Sequence, residues 1–158
     1  MPMNVAGNMP KNVHQKGQFG IEINGFNAAL FTKGKFPSIE FEESNFKPAG
    51  SAFPLKSPGC AKFEDLTFEK GVLVDGSDTA ALDWVKQQLD LTTGLGDNAE
   101  AFMRDVDLVG YDRKGKEFRR FTLHGAWVKK YEGDDHEGGS SDHSVEKLTL
   151  SYQYFTKK

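Results

Sequence analysis

The densest set of groups that could do chemistry is DDHEGGSSDH, residues 134–143. Asp134, Asp135, His136, Glu137, Asp142 and His143 offer oxygen and nitrogen donors suited to a hard or borderline divalent cation. Binding would have to order the intervening Gly-Gly-Ser-Ser, and neither the EF-hand spacing nor a His-Glu-x-x-His helix is present. A solvated loop is therefore the expectation, with no dedicated metal. His124, between strand residue Leu123 and Gly125, reads as a hydrogen-bonded structural imidazole rather than a general base. Cys60 is the single cysteine; with no cation or helix start evident beside it, a buried or inert thiol is expected. The run GLGDNAE, residues 94–100, resembles a phosphate-cradling loop but lacks a preceding strand and a following Lys-Ser/Thr. No catalytic constellation emerges, and no cofactor is called for.

The chain that would position any site is 158 residues long, enough for one domain with a real core. Thirteen Phe, four Tyr and two Trp against 37% hydrophobic content predict a core of a few large side chains under a polar surface. With 20 basic and 23 acidic side chains the net charge is -3, which argues against a sequence-independent grip on nucleic-acid phosphates. One cysteine excludes an internal disulfide framework and any zinc site with several thiolates. No apolar h-region opens the sequence and no membrane-length apolar run follows, so a soluble, cytoplasmically made protein is expected.

Residues 1–17, rich in Asn, Gly, Pro and Lys, read as an extended arm, and residues 18–158 as one domain. Phe19, Ile21 and Ile23 alternate as a strand requires, and Asn24-Gly25 predicts a hairpin to the segment after it. A strand over 37–43 places Ile39 and Phe41 on one face and Glu40 and Glu42 on an acidic other face. Residues 44–60 carry three prolines with Phe46, Phe53 and Leu55, and read as a functional loop, a segment ordered by a partner, or a Pro-rich hairpin. Phe63 is out of phase with Leu66 and Phe68, and Phe118 with Phe121 and Leu123; a β-bulge in each place would restore a common face. Such bent strands suit a curved sheet or barrel. Residues 77–91 predict one helix, capped by Ser77, Asp78 or Thr79. It would bury Ala81, Leu82, Val85 and Leu89, with Trp84 at the border of the stripe and Asp83, Lys86, Gln87 and Asp90 outward. Strands return after it, and the last puts Leu148, Leu150, Tyr152 and Tyr154 on one face.

Four stretches in order carry a resemblance. They are Lys62, Phe63, Asp65, Leu66, Thr67 and Gly71; Arg104 and Asp105; Ala126, Trp127, Lys130 and Tyr131; and Glu146, Leu148, Thr149, Leu150 and Tyr152. With the helical Trp84 between the first two, this set is similar to the tail tube proteins of contractile phages and related injection systems. His124-Gly125 and Val128 depart from that pattern, at what the resemblance implies is a strand end.

The resemblance implies a mainly β fold, a β-sandwich or small barrel with one flanking helix. Six copies would close a ring, and rings would stack into a tube inside a sheath, bounded by baseplate and tail-terminator proteins, in a virion tail assembled in the bacterial host cytoplasm. Residues 44–60, through Phe46, Lys47, Pro48, Phe53, Pro54 and Leu55, would reach the adjacent ring. Glu40, Glu42, Lys62, Glu64, Glu69 and Lys70 would lie in the lumen or at the subunit seam, where a mixed or negative lining lets DNA slide. The helix face with Asp83, Lys86, Gln87 and Asp90 would look toward the sheath. Strand edges paired around a ring leave no edge free. Alternatives are the tube of an extracellular injection system with protein cargo, a monomeric ligand-binding β-barrel, and an enzyme using a metal at 134–143.

Overall fold

The computed structural model describes residues 14–73, 79–134, 136–139 and 141–158. Among them the strands are β1 (Phe19–Ile23), β2 (Phe31–Lys33), β3 (Ile39–Phe46), β4 (Leu55–Phe63), β5 (Leu66–Gly71), β6 (Arg104–Tyr111), β7 (Glu117–Glu132), β8 (Val145–Ser151) and β9 (Tyr154–Lys157). Two helices, α1 (Ala80–Gln88) and the one-turn α2 (Ala99–Phe102), sit between β5 and β6.

Seven strands form one antiparallel sheet in the order β1-β6-β7-β8-β5-β2, with β9 added to β7. The sheet folds over on itself because β7 is sixteen residues long and bent. Its first part pairs β6 on one side and β9 on the other, and its last part pairs β8. The bend falls at His124-Gly125. Register slips there by one residue, Gly125 takes φ +65, and a Cβ at this position would meet Gln153 Cγ at 2.7 Å. Only glycine combines that backbone with that approach. The β8–β9 stretch bends at the same height, where the Gln153 amide donates to the His124 carbonyl at 2.9 Å. The expected strand end is thus a corner through which β7 continues.

The core lies between the folded halves: Ile21, Ile23, Leu66, Phe68, Val106, Leu108, Leu123, Leu148 and Leu150 are all buried. The helix closes one side with Trp84, which is 0% exposed. The indole donates to the Phe102 carbonyl at 2.6 Å, and the Arg104 guanidinium lies 4.7 Å over its ring. Trp84 is therefore the helix's principal anchor rather than a border residue. Ala81 is buried with it, while Leu82 and Leu89, expected inward, are exposed. The Gln88 carboxamide acts like one more peptide group of the sheet: it donates to the Val128 carbonyl at 2.8 Å and accepts from the Val128 amide at 2.7 Å. The helix runs over 80–88 with N-cap Thr79, and Ser77 and Asp78 lie outside the described residues.

Other expectations are corrected. Asn24-Gly25 makes a turn, with Gly25 at φ +88 and the Phe26 amide donating to the Ile23 carbonyl. The strands it joins, however, go to opposite ends of the sheet, β1 onto β6 and β2 onto β5. No bulge separates Phe63 from Leu66; the chain leaves β4 and enters β5 there. The bulge expected near Phe118 is present, since Gly110 and Tyr111 pair with Arg119 and Glu117. Tyr154 follows the β8–β9 corner and is exposed, so Phe155 packs against the core in its place.

Candidate assembly interface

The groups singled out for chemistry are structural. His124 lies 2.9 Å from the Thr156 hydroxyl through Nε2 and stacks on Tyr154 at 4.6 Å. Residues 90–97 wrap the end of α1, with the Asp97 amide donating to the Gln87 carbonyl at 2.8 Å. Cys60 is exposed in β4, not buried. His136 pairs with Asp134 at 2.8 Å, Asp135 lies outside the described residues, and among those described no three metal-ligating side chains gather.

The unusual surface is instead the β3–β4 hairpin. Of the three readings left open for 44–60, the structure gives the hairpin, with a register slip between Phe41 and Glu43 that sets Gly59 and Cys60 against Glu42 and leaves Pro58 paired with Glu43. A Cβ at Gly59 would stand 2.9 Å from the Glu42 carbonyl oxygen, so the slip demands glycine. This ribbon is a separate two-stranded sheet, exposed along its length except for half-buried Phe63. Ile39, Phe41, Phe46, Phe53 and Leu55 are 46% to 81% exposed. A lone hairpin is marginal in water, and large apolar groups on both its faces are a surface waiting for cover.

Register places the side chains. Near the body, Ile39 and Phe41 oppose Phe63 and Ala61 on one face, and Glu40 opposes Lys62 on the other. Lys62 reaches Glu42 at 2.7 Å. Toward the tip the sides exchange: Phe46 opposes Leu55 on the face that carried Glu40, while Asn45 opposes Lys56 on the face that carried Phe41. Lys47, Pro48, Phe53 and Pro54 lie in the exposed turn.

Of the charged residues expected at a lumen or seam, Glu40, Glu42, Lys62 and Glu64 are exposed, and Glu69 is half-buried, 3.7 Å from Lys147. The ammonium of Lys35 and the Ser38 hydroxyl hold the Glu64 carboxyl below its usual range. Lys70 is the correction. It is 1% exposed and lines no surface; its ammonium lies 2.7 Å from Glu146, which also accepts from the Tyr131 hydroxyl at 2.7 Å. On α1, Asp83 and Lys86 are exposed and Gln87 accepts from Arg104 at 2.8 Å, while Asp90, just beyond the helix, is half-buried.

The residues that carried the resemblance meet across β5, β7 and β8. Thr67 and Thr149 share a hydrogen bond at 3.0 Å, Leu66 faces Leu150 and Tyr131 faces Leu148, while Asp65, just before β5, pairs with Lys129 beside the motif at 2.5 Å. Between β1 and β2 runs a cleft of about 780 Å³ lined by Phe19, Ile21, Phe36 and Leu108 with Lys16, Lys33, Lys35 and Arg119. It is a seam between two strand edges, not the closed cavity that a ligand-binding barrel would need.

A folded-over antiparallel barrel, one helix sealing its side and a ribbon left bare on both faces together describe a β-barrel subunit made to pack against other chains. The chain belongs to the T4-like virus tail tube protein gp19 family, whose profile matches residues 15–156. No curated protein matches the sequence. Among solved structures the fold is similar to the tube-terminating cap of the anti-feeding prophage, with TM-score 0.77 and 16% identity over 99% of each chain. It is likewise similar to a chain of the sheath-tube complex of an extracellular contractile injection system, with TM-score 0.73 and 15% identity over 98% of this chain and 95% of that one. A type six secretion system protein matches at TM-score 0.51 and 13% identity, over 88% of this chain and 81% of the other.

Proposed function

We propose that this chain is the subunit of the inner tube of a contractile phage tail, closing as hexameric rings that stack into a conduit for DNA delivery. The observation that supports this reading is the β3–β4 ribbon, which leaves five large apolar side chains uncovered in a member of a tail tube family. Phe46, Lys47, Pro48, Phe53, Pro54 and Leu55 make the contact between rings. Glu40, Glu42, Glu64 and Glu69 with Lys62 line the lumen or the seam, four carboxylates to one ammonium, so the lining repels phosphate and DNA passes without a specific grip. Asp83 and Lys86 face the sheath with exposed Leu82 beside them, and baseplate and terminator proteins close the two ends. The chain acts as a scaffold rather than a catalyst, and the tube assembles in the host cytoplasm. Negative-stain microscopy of the purified chain over rising concentration is expected to show rings and hollow rods; a monomer throughout overturns the reading. In a filter-binding assay at physiological salt, duplex DNA is expected to go unretained by assembled tubes.

A further inference from the structure

Charge is spread unevenly over this acidic chain. The cleft between β1 and β2 is lined by Lys16, Lys33, Lys35 and Arg119 and by no Asp or Glu, although the net charge is -3. Lys35 reaches Glu64 at 2.9 Å, whereas Arg119 meets no carboxylate among the described residues. Its guanidinium lies 3.9 Å over the Phe36 ring, and Nη2 faces His14 Nδ1 at 3.3 Å. Its Nε is shut off from solvent without a hydrogen-bond partner among the described residues. Arg120, next in sequence and on the other face of β7, instead holds Glu22, Asp107 and Glu117 at 2.7 to 2.8 Å. A half-buried cation without a counter-charge is unfavourable, and an incoming carboxylate relieves it.

The backbone of β1 adds a second handle. The Tyr111 amide donates to the Gln18 carbonyl at 3.0 Å, and peptide groups of an antiparallel strand alternate between its two sides. Gln18, Gly20 and Glu22 therefore turn theirs to β6, and Phe19 and Ile21 turn theirs toward the cleft. No strand meets them there, since β1 and β2 are the two ends of the sheet path and make no ladder with each other. Phe36 and Leu108 complete an apolar floor beneath.

We propose that this cleft is a docking groove for an extended acidic segment of another protein. The segment adds as a strand along β1, with carboxylates on Lys16, Lys33 and Arg119 and alternate apolar side chains on the floor. The five residues of β1 give it about 17 Å of ladder. The chain's own acidic stretch at 39–43 is not the occupant, because Glu42 and Glu43 are engaged with Lys62 and Lys56 at 2.7 and 3.5 Å across their own ribbon. The groove goes beyond the tube reading and does not depend on it.

The probe is the synthetic pentapeptide acetyl-Glu-Val-Glu-Val-Glu-amide, titrated into the full-length chain below its assembly concentration and followed by amide NMR shifts. Saturable shifts centred on the Phe19 and Ile21 amides are expected, weakening as salt is raised. Lys16→Glu/Lys33→Glu changes two exposed side chains, so an unchanged Tm accompanies an expected loss of affinity of at least tenfold. A peptide with Lys in place of Glu, and one with Pro at its centre, are each expected to bind at least tenfold more weakly. Equal binding of either control, no effect of the double variant, or displacement of the peptide by a single-stranded oligonucleotide overturns the proposal. Protection of the Phe19 and Ile21 amides on assembly without peptide shows a second copy in the groove, which overturns the proposal and leaves the tube reading standing. Peptide binding by a chain that never assembles upholds the groove and overturns the tube.

Discussion

Lys70 and Glu146 face each other across β5 and β8 with side chains 1% and 11% exposed, so the strength of their contact rests on each having the other. Lys70→Met strands a buried carboxylate and is expected to cost about 3–5 kcal/mol in urea unfolding, whereas Lys70→Met with Glu146→Leu recovers most of it. Strand alternation could not flag this pair, since a lysine at an inward position reads as an error unless its partner is known. Tyr152 is a second buried polar group: its hydroxyl has no hydrogen-bond partner among the described residues, and desolvation, then the Asp65 and Glu64 carboxylates, push its pKa up to about 12. The folded state favours the neutral phenol. Stability from this group is therefore full below about pH 10, the unfolded value, and is lost as pH rises from there through about 12. Tyr152→Phe is expected to leave stability at pH 7 unchanged or improved and to flatten that alkaline decline relative to wild type, read by thermal melts.

For elements, periodicity was informative where one face is buried and the other wet, as in β1, β6 and β8. It failed on α1, where Leu82 and Leu89 fit the apolar stripe as well as Trp84 does, and only tertiary contacts with Arg104 and Phe102 decide which residue turns inward. It failed on β4 because Pro58 and Gly59 punctuate a strand that takes Gly59 into its bulge and keeps Pro58 paired beside it. Nor does any local signal say that Asn24-Gly25 joins strands at opposite sheet ends; the partners of β1 and β2 are dozens of residues away. Gln88→Ala removes both bonds to the backbone of buried Val128 and is expected to cost about 1–3 kcal/mol and to speed amide exchange there. Gly125→Ala is expected to cost more than Gly115→Ala, both having positive φ, because only the former also meets a side chain. Their difference in Tm isolates the packing at the corner from backbone strain.

At the scale of the molecule, the family was legible because its motif residues face one another across strands, Leu66 with Leu150, Thr67 with Thr149 and Tyr131 with Leu148. The proposed interface was legible only as an odd loop, because the Pro-rich ribbon pairs strands whose bare faces no local pattern explains. Backbone amides of β3 and β4 are expected to exchange within seconds in monomer and to slow at least a hundredfold in rods, measured by mass spectrometry. Deleting residues 47–56 is expected to leave a folded, ring-forming protein without rods. A tip that protrudes from one face of a ring and seats on the next repeats at every layer without ever returning to its start. In the proposed tube, growth along that axis would have no internal stop, so the length of the conduit would be dictated by some other molecule.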